Sequence, residues 1–140
     1  MKSCKPIMLV EDDMVDVLKV TRALRDRHVL NPVVHPDDAE KAIEYLDEPA
    51  SKKPCMVLLD LNMPQFDGFE FLKKIKSDSR FKRIPVVILT ASEDDLDVKK
   101  SFDLGAAGYI VKSDDYEQFV ETIEIVNRYW SLNKIPNGIR

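Results

Sequence analysis

Apolar residues in this chain come in short unbroken runs, separated by longer stretches with helical period. The runs are Ile7–Val10, Val33–Val34, Met56–Leu59, residues 86–89 and residues 109–111. Successive positions are apolar rather than alternating, as expected of strands buried on both faces of a parallel sheet. Between them, Met14, Val17, Leu18, Thr21 and Leu24 fall on one helical face, as do Ala39, Ala42, Ile43 and Leu46. Gly68, Phe71, Leu72 and Ile75 repeat the spacing, and Tyr116, Phe119, Val120, Ile123, Val126 and Trp130 form the longest stripe. Val98, Ser101 and Phe102 leave the fourth helix with a thin apolar face. Pro54 and Pro85 precede strands, and Gly105 follows the fourth helix.

Five strands alternating with five helices predict an α/β fold, a doubly wound parallel sheet covered on both faces. At this length the expected arrangement is the flavodoxin-like (βα)5 sheet, strand order 2-1-3-4-5. Its reversal between strands 1 and 3 marks where a ligand would sit, at the carboxyl ends of the strands. The predicted domain covers 1–130, and 131–140 reads as a short tail with no output domain.

That edge collects the candidate chemistry. Strand 1 runs into Glu11-Asp12-Asp13, strand 3 into Asp60, strand 4 into Thr90 and strand 5 into Lys112. Carboxylates this close raise one another's pKa unless a cation stands among them, and an oxygen-only cleft suits Mg²⁺. Taken singly, an acid after a strand often caps the next helix, a threonine there closes a turn, and a lysine is a solvated charge. Four such groups ending four different strands form a phosphoryl-transfer constellation, with a carboxylate nucleophile and a metal and lysine to screen charge.

Bulk properties narrow the alternatives. A net charge of −4 and a pI near 5.2 argue against a polyanion partner, so no nucleic acid is expected. The basic stretch Lys73, Lys74, Lys76, Arg80, Lys82 and Arg83 reads as a solvated helix face and loop. No apolar run is long enough to span a bilayer, so no membrane association is expected. Cys4 and Cys55 suit reduced thiols in a cytoplasmic protein. His28 and His35 lie outside the acidic edge and read as surface or packing residues.

From about Pro6 to Trp130 the chain resembles the receiver domains of two-component response regulators, of the stand-alone chemotaxis type. The motifs are Ile7-Met8-Leu9-Val10-Glu11-Asp12-Asp13, Leu58-Leu59-Asp60-Leu61-Asn62-Met63-Pro64 with Asp67-Gly68, Pro85-Val86-Val87-Ile88-Leu89-Thr90-Ala91 and Gly105-Ala106-Ala107-Gly108-Tyr109-Ile110-Val111-Lys112. The resemblance implies a phosphoacceptor at Asp60, fed by a sensor histidine kinase. It implies a Mg²⁺ site from Asp12 directly, Glu11 through water, Asp60, and the backbone carbonyl of Asn62. Thr90 matches the hydroxyl that turns to the phosphoryl group, Lys112 the lysine that pairs with it, and Tyr109 the aromatic switch. The family commonly carries proline, often cis, after this lysine. Here Ser113 follows, and a cis bond before serine costs about 3 kcal/mol, so a trans peptide is expected.

The last helix carries a second apolar face at Ile125, Tyr129 and Leu132. With Tyr129-Trp130 it resembles the small regulators partnered with phytochrome-type kinases, and it suggests a homodimer through that helix and its neighbouring strand. The expected output is binding to a downstream protein whose identity the residues leave open, and the chain is not expected to be an enzyme. Two other readings remain open. An Asp-nucleophile, Mg²⁺-dependent phosphatase of the haloacid-dehalogenase kind would need a second acid where Asn62 stands. A receiver-like adaptor would act without phosphorylation.

Overall fold

In the computed structural model, residues 5–36, 38–64 and 67–132 are described, apart from the side chain of Ser131. The elements are β1 (Ile7–Val10), α1 (Met14–Asp26), β2 (Val33–Val34), α2 (Ala39–Asp47), β3 (Met56–Leu59) and α3 (Gly68–Ser77), followed by β4 (Val86–Thr90), α4 (Asp95–Asp103), β5 (Gly108–Val111) and α5 (Tyr116–Leu132). The strands form one parallel sheet in the order β2-β1-β3-β4-β5, as the alternation predicts. α5 continues past residue 130 to Leu132, and the rest of the expected tail lies outside the described residues.

The pleat sorts the strand residues into two cores. Met8, Val10, Val57, Leu59, Val86 and Ile88 face α2 and α3, packing with Leu46, Phe71, Leu72 and Ile75. Ile7, Leu9, Met56, Leu58, Val87 and Leu89 face α1 and α5, packing with Val20, Leu24, Phe119 and Ile123. β1, β3 and β4 are buried on both sides, which is why their sequences do not alternate.

One predicted face is rotated. α1 buries Val17, Val20, Ala23 and Leu24, whereas Met14 and Leu18 are 59% and 64% exposed. Both stripes contain Val17 and Leu24 at helical spacing, and α1 carries more apolar residues than the sheet covers. In α4, Ser101 is buried but Phe102 is exposed, so the thin face is thinner still.

The ends are locally determined. Asp13, Asp38, Asp67 and Asp94 cap the first four helices by accepting backbone N–H bonds in the first turn. The acid that caps α1 is therefore Asp13, which leaves Glu11 and Asp12 to other work. His28, at φ 58°, holds the left-handed position that closes α1, with His28 N–H bonded to Arg25 and Val29 N–H to Leu24. His28 thus has a structural role, whereas His35 lies nearer the acidic edge than its sequence position suggests. In the basic stretch, Arg80 pairs with Asp47 and Asp78, and Lys76 Nζ donates to the carbonyls of Lys82 and Ile84. Among the described residues no peptide is cis, Lys112–Ser113 included. Cys55 is a free thiol, raised in pKa by burial, while Cys4 lies outside the described residues. Among the described residues no helix is long and apolar enough to cross a membrane.

Candidate functional site

Register brings the site together. Val10 pairs with Leu59 across β1 and β3, and Asp60 N–H donates to the Val10 carbonyl at 3.1 Å, so Glu11 and Asp60 leave the sheet side by side. On the other side Thr90 pairs with Val111, and Lys112 N–H donates to the Thr90 carbonyl at 2.8 Å. The topological reversal between β1 and β3 thus opens onto two acids, with a lysine arriving from β5.

Lys112 Nζ donates to Glu11 Oε1 at 2.6 Å, to Asp16 Oδ2 at 2.6 Å and to Asp60 Oδ2 at 3.1 Å. The side chains of Glu11 and Asp60 are only 3% and 6% exposed, so these are buried charges held by one another. Burial pushes the Glu11 carboxyl up to about 7; Lys112 pulls it back, while the neighbouring Asp60 carboxylate adds to the rise. Burial also works to raise Asp60. Hydrogen bonds from the Glu11 carboxyl and from Asn62 N–H, at 3.0 Å, together with Lys112, outweigh it and hold Asp60 below the usual carboxylate range. Two adjacent acids are thus pushed apart, Glu11 toward its protonated form and Asp60 toward its charged one. Burial alone would lower Lys112, but its three carboxylate partners raise it, so it remains an ammonium.

The other expected residues are placed around this centre. Asp12 and Asn62 are exposed at its mouth. Asp12 also lines a cavity of about 1560 Å³ between α2 and α3, which among the described residues meets the site at that position. Thr90 is completely buried, and its hydroxyl accepts from Ser92 N–H at 3.4 Å. Tyr109 is half-buried, and its hydroxyl donates to the Ser92 carbonyl at 3.0 Å. Burial raises its pKa.

Three contributors were not singled out for the site from the sequence. Asp16, in the first turn of α1, gives Lys112 its third acceptor; only the rotation of α1 about its axis aims it there. Ser92 joins Thr90 to Tyr109 through its own backbone and donates its hydroxyl to Asp97 in α4 at 2.7 Å. His35 Nε2, just beyond β2, donates to the backbone carbonyl of Glu11 at 2.6 Å. An all-oxygen donor set and a buried acid short of counter-charge suit a hard divalent cation. Among the described residues, no three His, Cys, Asp or Glu side chains stand as a ready ligand set. The ammonium of Lys112 lies between the acids instead, so a cation would have to take over part of its role.

Comparison with known proteins bears on the family and the fold. The family model for the response regulator receiver domain matches residues 7–124. A probable methanogenesis regulatory protein, FilR2 of Methanothrix harundinacea, is 33% identical over 134 residues, 93% of this chain and 86% of that protein. Response regulator Rcp1 of Synechocystis sp. is 33% identical over 130 residues, 90% of this chain and 88% of that protein. An Mn(2+)-bound structure of Rcp1 has a TM-score of 0.84 at 32% identity, covering 94% of this chain and 99% of that one. The phosphorylated cyanobacterial phytochrome response regulator RcpA superposes with a TM-score of 0.87 at 37% identity, covering 96% of this chain and 99% of its own. Fold, strand order and a match over most of the length lead to one assignment: this chain belongs to the response regulator receiver domain family.

Proposed function

We propose that Asp60 is the phosphoacceptor of this receiver and that Thr90 and Lys112 answer the phosphoryl group once it arrives. The observation that carries the reading is the buried, deprotonated Asp60 carboxylate beside the Lys112 ammonium at 3.1 Å. An Asp60 oxygen attacks the phosphorus of a kinase phosphohistidine. A new O–P bond forms as the donor's N–P bond breaks; the electron pair stays on the imidazole nitrogen, which takes up a proton. Glu11, Asp12, Asp60 and the Asn62 carbonyl would hold a Mg²⁺ ion there. Such an ion neutralises charge on the transferring group.

Thr90 and Tyr109 are read as the switch. Their shared neighbour Ser92 supports this, because a turn of the Thr90 hydroxyl would disturb the Ser92 backbone that Tyr109 bonds and the α4 start that Ser92 holds. The output is then a change in a protein-binding surface rather than a released product. The acting unit is read as residues 1–130 in a cytoplasmic protein. The relatives' names support a phytochrome-type kinase as donor, since RcpA is a phytochrome response regulator. The exposed Ile125, Tyr129 and Leu132 of α5, with β5 at the edge of the sheet, support a homodimer through that helix and its neighbouring strand.

Intact-mass measurement after incubation with acetyl phosphate tests the chemistry, with and without Mg²⁺, on the wild type and Asp60→Asn. One Mg²⁺-dependent adduct, absent from the variant and labile to hydroxylamine, is expected. An unmodified wild type that still binds Mg²⁺ would instead favour the phosphorylation-independent adaptor.

A further inference from the structure

Lys112 has one more carboxylate partner than the phosphoacceptor reading uses. An ammonium has three N–H donors, and here each has an acceptor: Glu11, Asp16 and Asp60. On that reading, Glu11 and Asp60 turn toward a cation and a phosphoryl group. Asp16 has neither task. Its bond to Lys112 at 2.6 Å is as short as that of Glu11, and the side chains are 21% and 14% exposed, so water competes little for either.

Asp16 is also the acceptor with the firmest seat. It lies in the first turn of α1, just after the Asp13 cap, where the unpaired N–H groups of the helix favour a carboxylate. α1 is in turn pinned to the sheet by Val17, Val20, Ala23 and Leu24. A lysine stem has four rotatable bonds and no preferred aim of its own. A helix-borne acceptor in contact with its head group supplies one.

We infer that Asp16 is a positioning residue: it keeps the Lys112 ammonium aimed at Asp60 when Glu11 and Asp60 exchange that ammonium for other partners. This rests on Asp60 being the phosphoacceptor. Asp16 does not touch the reacting atoms in this account and acts through Lys112 alone. Its removal therefore matters only while Lys112 is present.

The test is a double-mutant cycle on the rate of adduct formation from acetyl phosphate at saturating Mg²⁺, followed by intact mass. It uses the wild type, Asp16→Asn, Lys112→Met and the double variant. Asp16→Asn is expected to slow uptake roughly tenfold, the size of one charged hydrogen bond lost, and to change the Lys112→Met background less than twofold. An Asp16→Asn rate equal to wild type, or the same slowing in both backgrounds, overturns the inference. A second readout does not depend on phosphorylation. In Mg²⁺-saturated protein, where Glu11 and Asp60 turn to the cation, the Lys112 Nζ signal in ¹⁵N NMR should be protected from solvent exchange in the wild type and lose that protection in Asp16→Asn; retained protection overturns the inference as well. A wild type that takes no adduct defeats the phosphoacceptor reading itself, whereas a reactive wild type with an unaffected Asp16→Asn defeats only the role given to Asp16.

Discussion

Glu11 and Asp60 are chemically similar acids whose environments separate them. Glu11 keeps its proton to about pH 7 in the folded protein but gives it up near 4.5 when unfolded. Between those values the folded state holds more protons than the unfolded one, so this group makes stability fall as pH rises from about 4.5 to about 7 and then level off. Asp60 acts in the other direction: its depressed pKa contributes stability at neutral pH that is lost as pH falls through the acid range. Glu11→Gln removes the first titration while leaving an N–H donor that can still face Asp60. In chelator-treated protein, the wild type should lose about 1–3 kcal/mol relative to this variant between pH 5 and pH 7.5, a figure discounted for the coupling to Asp60 and Lys112. Urea midpoints across that range measure it; a constant difference would mean that Glu11 titrates at its ordinary value. That these acids end strands 1 and 3 was legible in the chain, since each terminates an unbroken apolar run. Which of the two would carry the proton was not, because burial and the arrival of Lys112 from 101 residues away decide it.

Among the elements, α3 shows most clearly how packing sets the site. Its first residue, Gly68, lies so close to the end of β3 that an added Cβ would stand 3.0 Å from Leu61 Cδ2 and 3.3 Å from the Asp60 carbonyl oxygen. The backbone of the neighbouring Asp60–Leu61 segment cannot yield as a flexible side chain could. Gly68→Ala should therefore destabilise the protein by about 1–3 kcal/mol and slow phosphoryl uptake by shifting the Asp60 backbone. Denaturation curves and adduct rates from the same preparation check both effects, and unchanged values for both would show that the contact relaxes without cost. Gly105 follows a different logic. At φ 103° it holds the left-handed position that closes α4, the role His28 fills after α1. The helices themselves were readable from apolar spacing and from the proline and glycine signals between them. The facing of α1 was not, because two overlapping stripes satisfied the same period and only contact with the sheet chose between them.

At the scale of the whole molecule, the sheet is covered on both faces, yet α5 keeps Ile125, Tyr129 and Leu132 58%, 61% and 81% exposed. β5 is an edge strand, and its Val111 is partly open to solvent. A helix that has already packed Phe119, Val120 and Ile123 against the sheet has no internal use for a second apolar face. Sedimentation at micromolar protein should show a dimer, and Ile125→Asp combined with Tyr129→Asp should shift it to monomer without loss of fold. A wild type that sediments as a monomer, with and without phosphorylation, removes the homodimer.

The sequence by itself determined the elements, their order and the family, because strand burial, helix periodicity, capping and the strand-end motifs are local patterns written over a few residues each. It also placed Glu11, Asp60, Thr90 and Lys112 at one edge, since a parallel α/β topology sends every strand end the same way. The tertiary structure decided what those groups are to one another: a three-carboxylate cradle around one ammonium, completed by an unexpected Asp16, and a Ser92 bridge between Thr90 and Tyr109. These contacts join distant parts of the chain through helix rotation and strand register. Both follow from how the two cores pack on the sheet, and no single window of sequence contains that information.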